Sequence, residues 1–357
     1  MTSPDKSPSS PAGKAEFYQG HLDKVSRSFA FCIPRLESPL REQVALGYLV
    51  CRILDTVEDA SWSDFAKQRE AFESFDRFIS EPARADEIGE WAKGFPQDIP
   101  DSEKSLLADS ALIFADFHAQ PKAAREAMLG PVLSMSAGMR HYMGRKHQVG
   151  ALKLKTVADV NRYCFFVAGV VGEMLTRLLQ AQAEKAKIAL HPPSWREAYD
   201  FGLFLQKVNL LKDQLGDEAL GRFLVPSRER VRESLLDNAN GAFRYLLAIP
   251  RQLPGFRLFC AWSLFLGLAS LPFIERAYLE AANIKIPRDE TAFLLASIEK
   301  VISDDSALEE LFTAFKPEGL TAAREADATV EPEDRVLLGL YQGVLSPEAA
   351  LSVFHAT

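Results

Sequence analysis

The chain has 357 residues, 47% of them hydrophobic, enough to bury one large core. A net charge of -8, a pI of about 5.4 and the lack of any long Lys/Arg cluster argue against a nucleic-acid partner. The four cysteines (Cys32, Cys51, Cys164, Cys260) are scattered through apolar stretches with no CxxC or Cys/His spacing. That makes a zinc site and a disulfide framework poor readings and fits a reducing cytoplasm.

The first fourteen residues, MTSPDKSPSSPAGK, lack the apolar centre of a secretory signal, and their Ser/Pro content predicts a disordered tail over 1–14. From there helical periodicity dominates, with no run of alternating strand pattern, so 15–357 reads as a single all-α domain. The spacing predicts helices over 15–32, 39–59, 64–80, 102–118, 122–144, 157–181, 194–217, 228–247, 255–282, 289–301, 305–314 and 332–342. Thr156, with Asp159 three residues on, is an N-cap signature, and Pro287 stands just ahead of another helix. Turn-rich breaks fall at 93–103, 190–194 and 316–333, none demanding a domain boundary. The longest uncharged apolar run, 258–274, is marginal for a membrane span. Ser263, Gly267, Ser270 and Pro272 interrupt it, and it reads as a buried helix. The last residues, LLGLYQGVLSPEAALSVFHAT, carry no anchor-like pattern, so no transmembrane anchor is expected.

Two acidic motifs carry the chemistry. D-T-V-E-D, Asp55 to Asp59, ends the run VALGYLVCRILDTVED, and D-Q-L-G-D, Asp213 to Asp217, ends FGLFLQKVNLLKDQLGD. Residues four apart share a helix face, so each motif sets two carboxylates side by side at the end of a segment that otherwise reads as core. Tyr48, Arg52, Asp55 and Asp59 form one polar stripe; Gln206, Asn209, Asp213 and Asp217 form a second. Buried like charges need a compensating cation, and oxygen ligands in pairs suit Mg²⁺ bridged to a phosphate-bearing substrate. The bland reading is two solvated helix faces. Arg27, Arg52, Lys212 and Arg222 flank the motifs and suit phosphate oxygens. Each taken singly reads better as a surface charge or a salt-bridge partner, and their value lies in flanking the acidic motifs. In Tyr163 to Gly172, YCFFVAGVVG, the small residues Ala168, Gly169 and Gly172 permit close helix packing or leave a groove, with packing the default. Tyr163 is either a core aromatic or a hydroxyl presented to a reactive intermediate.

With these segments in view, the chain resembles the squalene synthase family. The resemblance rests on SRSFA (26–30), YLVCRILDTVED (48–59), YCFFVAGVVG (163–172) and GLFLQKVNLLKDQLGD (202–217), in that order over about 15–290. It implies an all-α isoprenoid synthase fold with helices around a central apolar cavity. It implies head-to-head condensation of two farnesyl diphosphates to presqualene diphosphate, then NADPH-dependent reductive rearrangement to squalene. By resemblance, Asp55, Asp59, Asp213 and Asp217, with Glu58, hold Mg²⁺. Arg27, Arg52, Lys212 and Arg222 contact diphosphate, and Ser26, Ser28, Phe29, Tyr48, Gln206 and Asn209 line the substrate cavity. Tyr163 handles a proton in the first half-reaction, and Phe259, in F-C-A, belongs to the second. The family's nicotinamide-phosphate segment is approximated by Ile284-Lys285-Ile286-Pro287-Arg288, which makes Lys285 and Arg288 the cofactor-binding pair. A cytoplasmic protein in peripheral contact with the inner membrane is expected.

This chain departs from the family pattern in places. Lys212 stands where Arg is frequent, Trp262-Ser263-Leu264 follows the F-C-A segment, and no Rossmann G-x-G-x-x-G is present. Two alternatives stay open. One is a synthase that stops at presqualene diphosphate or releases dehydrosqualene without NADPH. The other is a non-catalytic helical scaffold, against which both intact acidic motifs weigh.

Overall fold

The computed structural model of the chain describes residues 11–26, 28–189 and 195–316, and these are almost entirely helical. The first helix, α1 (Pro11–Val25), begins inside the segment expected to be disordered, with the Lys14 ammonium on the Asp116 carboxylate and the Tyr18 hydroxyl donating to Asp116 at 2.8 Å. The tail expectation is therefore too long by four residues, and its first ten lie outside the described residues. The expected helix 15–32 is broken. After Val25 the chain turns, the Ser26 hydroxyl accepts from the Phe29 amide at 3.0 Å, and a one-turn helix, α2 (Phe29–Cys32), starts anew. A serine that bonds local backbone competes with helix continuation, and S-R-S offers two.

The helix α3 (Leu40–Asp59) buries Leu46, Leu49, Val50, Ile53, Leu54 and Val57 and leaves the stripe of Tyr48, Arg52, Asp55 and Asp59 partly open. Next come α4 (Phe65–Ser80), α5 (Ala85–Lys93), α6 (Asp101–Ala108), α7 (Ser110–His118) and α8 (Lys122–Val149). The sequence reading missed α5 and ran α6 and α7 together across Asp109. α9 (Val157–Cys164) opens on the expected capping box: the Asp159 amide donates to Thr156 Oγ1 at 3.1 Å, and the Thr156 amide to Asp159 Oδ2 at 3.0 Å. A π-helical turn over Phe165–Gly169 joins it to α10 (Val170–Ala186). α11 (Trp195–Ala219), α12 (Arg228–Ala248), α13 (Pro254–Leu279), α14 (Arg288–Val301) and α15 (Asp305–Phe315) complete the order, with Pro287 capping α14. The helix expected over 332–342 lies outside the described residues.

The glycines of the two YCFFVAG and GLFLQK segments face each other. A Cβ on Gly172 would fall 1.9 Å from the Ala198 carbonyl oxygen, and one on Gly202 would fall 2.2 Å from that of Ala168. These residues are a backbone-to-backbone seam between α10 and α11, so close packing is the role of the small residues. The seam locks α11, which carries the second acidic motif, to the middle of the core.

One small feature has no counterpart in the sequence reading. Leu152–Lys153 (β1) pairs in parallel with Arg222–Phe223 (β2), through Leu152 N–H to Gly221 O and Leu154 N–H to Phe223 O, both at 3.0 Å. Gly150 and Gly221 enter these strands with φ of 79° and 73°, where glycine is favoured. This bridge ties the end of α8 to the loop after α11. The apolar run of α13 is long enough to cross a membrane, as is Val157–Ala186, but most of each window is buried against the protein.

Candidate active site

The acidic ends of α3 and α11 are brought together by Arg222. From β2, its Nη1 donates to Asp59 Oδ1 at 2.5 Å, and its Nε lies 3.3 Å from Asp217 Oδ1. Two carboxylates 158 positions apart in sequence thus share one guanidinium. Around them stand Glu58, almost fully buried, and Tyr163, 2% exposed. Burial pushes the Glu58 carboxyl up to about 8, and the Asp59 charge beside it pushes the same way. Asp55 is pushed up to about 7, chiefly by removal from bulk water, against the pull of Arg52, whose Nη1 lies 3.6 Å away. Its side chain is 30% exposed. Arg52 in turn donates to the buried Glu103. Asp217 is raised for the same reason, with Arg222 opposing.

Lys146, at the end of α8, was not singled out from sequence. Burial and the neighbouring Arg222 lower its pKa, while Asp59, Glu58 and Asp217 hold it up. The β-bridge that carries Arg222 also pairs with the chain just after α8, the helix whose last turn carries Lys146. No motif marks Lys146; only the fold reveals it.

Tyr163 is raised well above the ordinary tyrosine value by burial and by the Glu58 charge, with Arg222 favouring the ionised form. It is a neutral phenol at pH 7 and packs edge-on to Tyr142 at 5.1 Å. Such a group donates a hydrogen bond readily. It can accept a proton only after passing its own to a neighbour.

The apolar wall is also assembled. Phe29 sits 5.3 Å from Tyr48 and 6.0 Å from Phe259, ring centre to ring centre, which joins α2, α3 and α13. The Ser26 hydroxyl accepts from the Phe29 amide and bonds the Tyr48 side chain, and Ser28 is exposed. Arg27 lies outside the described residues. Gln206 is half-buried, whereas Asn209, Lys212 and Asp213 are exposed. Lys212 bonds Asn209 Oδ1 and pairs with Asp213, each at 3.1 Å. Lys285, on the segment between α13 and α14, and Arg288, the first residue of α14, are exposed and make no ion pair with the acidic cluster among the described residues. An open groove of about 980 Å³ is lined by Leu268, Leu271, Phe273, Phe293 and Phe315, and none of the acidic-motif residues lines it.

Among the described residues no three His, Cys, Asp or Glu side chains converge on a single point. The donor chemistry nonetheless fits a hard divalent cation. All candidate ligands are carboxylate oxygens, and Glu58 Oε1 is buried with no hydrogen-bond partner.

The squalene/phytoene synthase family profile matches residues 22–229. The chain is 32% identical over 198 residues to squalene synthase of Schizosaccharomyces pombe, covering 55% of this chain and 40% of that protein. It is 28% identical over 302 residues to squalene synthase ERG9 of Saccharomyces cerevisiae, covering 77% of this chain and 65% of that one. The matched part thus spans about two fifths to two thirds of these relatives. A solved TcSQS–ligand complex superposes with a TM-score of 0.66 at 23% identity, over 95% of this chain and 99% of that one. A dehydrosqualene synthase complex superposes at 0.56 and 17%, over 84% of this chain and 98% of that one. These neighbours share the all-α isoprenoid synthase fold. With the profile match covering more than half of its length, the chain belongs to the squalene/phytoene synthase family.

Proposed function

We propose that this protein joins two farnesyl diphosphates head to head and carries the product through to squalene. One observation supports the reading above the others: Arg222 gathers Asp59 and Asp217, from two distant acidic motifs, beside buried Glu58 and Tyr163. A solvated pair of helix faces would not converge in this way.

Asp55, Asp59, Asp213 and Asp217, with Glu58 behind them, would hold Mg²⁺, which when bound supplies Lewis-acid stabilisation to a departing diphosphate. Arg222, Arg52 and Lys146 contribute fixed positive charge to the same anion. Asp55 and Glu58, held high by burial, gain most from a cation, because it removes the penalty on their ionised forms. Phe29, Tyr48 and Phe259 present ring faces that would stabilise a passing carbocation, and their packed surround keeps water from quenching it. The neutral Tyr163 phenol would donate to the diphosphate and, once that proton has moved, take one from carbon.

NADPH would supply hydride to the second half-reaction, with Lys285 and Arg288 as the pair suited to its 2′-phosphate. Their exposure outside the acidic cluster favours one second reading, a synthase that stops before reduction. The product has no polar group, which argues for work in the cytoplasm at the membrane surface, where squalene can partition. Purified protein incubated with farnesyl diphosphate and Mg²⁺, with and without NADPH, tests both readings. Squalene made only with NADPH is expected. Presqualene diphosphate or dehydrosqualene under both conditions would establish the second reading, and no condensation at all would overturn both.

A further inference from the structure

The last four carbonyls of a helix have no partner within it, so a helix end inside a protein needs donors from elsewhere. α3 ends inside the acidic cluster, and its chain turns away at once, Ala60 being extended. The donors return from the next few residues. Trp62 Nε1 donates to the Val57 carbonyl at 2.8 Å. Gln68, 2% exposed in the first turn of α4, donates from Nε2 to two carbonyls, Val57 at 3.0 Å and Glu58 at 2.9 Å. Both amide hydrogens are thereby used on the two residues that precede Asp59.

The direction of the amide follows from its partners. Carbonyls only accept, so the nitrogen end must face α3 and Oε1 must face away. Oε1 lies 3.3 Å from His147 Nε2, which therefore carries the hydrogen and donates. The His147 ring lies against Phe65, tilted by 31° with centroids 5.3 Å apart, and His147 follows Lys146 on α8. A chain of hydrogen bonds thus runs from α8 through α4 to the last turn of α3.

We propose that Gln68 is a positioning residue for the first acidic motif. By fixing the Val57 and Glu58 carbonyls it sets the direction in which the Glu58 and Asp59 carboxylates leave the helix, toward Arg222 and Asp217. His147 orients the Gln68 amide and acts one step further out. A purely structural role would need only that the buried amide be satisfied. The positioning role adds that cation affinity at the carboxylates depends on it, as partners behind metal ligands typically tune affinity. This inference rests on the carboxylates' being a divalent-cation site.

The test measures Mn²⁺ binding by electron paramagnetic resonance in the presence of inorganic pyrophosphate, for the wild type, Gln68→Met and His147→Phe, alongside thermal unfolding. Methionine keeps the length of glutamine and removes both donors. Phenylalanine keeps the ring contact with Phe65 and removes only the donor to Oε1. Gln68→Met is expected to weaken Mn²⁺ binding by about tenfold or more, the usual scale for a group behind a ligand. The half-saturating Mg²⁺ for turnover should rise in parallel, while the KM for farnesyl diphosphate at saturating Mg²⁺ stays near wild type. His147→Phe should shift Mn²⁺ affinity measurably in the same direction. A folded Gln68→Met that binds Mn²⁺ like the wild type overturns the proposal. If that variant does not fold, wild-type Mn²⁺ affinity in His147→Phe overturns it instead. Failure of the wild type to bind Mn²⁺ with pyrophosphate would sink the cation site itself, and this inference with it.

Discussion

The two acidic motifs have the same DxxxD spacing and opposite surroundings. At the end of α3, Glu58 is almost fully buried and Asp55 is half-buried, and their carboxyls are pushed up to about 8 and about 7. At the end of α11, the Asp213 side chain is 56% exposed and is matched by Lys212, itself on the surface. The backbones differ likewise. α3 is clamped at its end by Trp62 and Gln68, whereas nothing lies within 4 Å of a Cβ placed on Gly216, inside D-Q-L-G-D. Equal spacing therefore does not mean equal roles in the resting protein. The α3 motif buries Glu58 and leaves Asp59 50% exposed, whereas the α11 motif leaves Asp213 exposed and tucks Asp217 in at 15%. Asp217 joins them, as the one α11 carboxylate that turns inward to Arg222.

The largest expected effect treats the motifs as equals. Asp55→Ala and Asp213→Ala should each lower kcat at least about a thousandfold, ~4 kcal/mol in barrier. Circular dichroism should remain helical in both. If Asp213→Ala keeps more than about a tenth of wild-type kcat, a loss under ~1.4 kcal/mol, the exposed motif is not a ligand set and the comparison becomes one of site against surface.

Tyr163→Phe comes next and belongs to the buried side. It removes one hydroxyl and should slow presqualene diphosphate formation by about 10²–10⁴-fold if that hydroxyl moves a proton. A near-wild-type rate would make Tyr163 a packing residue.

The backbone contrast is sharpened by two glycines of the same helix. Gly202→Ala drives a methyl into the Ala168 carbonyl and should destabilise by about 1–3 kcal/mol, read by denaturant unfolding. Gly216→Ala meets open space and should stabilise by about 0.5–1 kcal/mol. Equal effects would mean that α11 is not pinned at its seam.

The smallest effect is electrostatic. Asp55 and Glu58 titrate near 4 when unfolded and at about 7 and about 8 when folded, so between these values the folded protein holds more protons. Stability in EDTA should then fall as pH rises from 4 to 8. Glu58→Gln should flatten that slope and raise the melting temperature at pH 8 by about 2 °C, whereas Asp213→Asn should leave it unchanged. A wild-type stability that climbs over this range would show that the buried carboxyls are already compensated.

Much of this protein is determined locally. The apolar periodicity of α3 and α11, the capping box at Thr156 and the stripes of Tyr48–Asp59 and Gln206–Asp217 are properties of residues three or four apart, and the chain itself fixes them. The small residues of YCFFVAGVVG were legible as a packing seam, because a missing side chain can be read in sequence. What the sequence could not supply is whatever depends on distant residues meeting. Asp55 and Asp213 look alike until burial separates them, since desolvation is a property of the surroundings and not of the motif. Arg222 reaches the cluster from a two-residue parallel bridge too short to leave an alternating pattern, and Lys146 reaches it from the last turn of α8, where no motif marks it. Gln68 carries no signal at all, being one glutamine among others until the end of α3 presents it with two carbonyls in need of a donor.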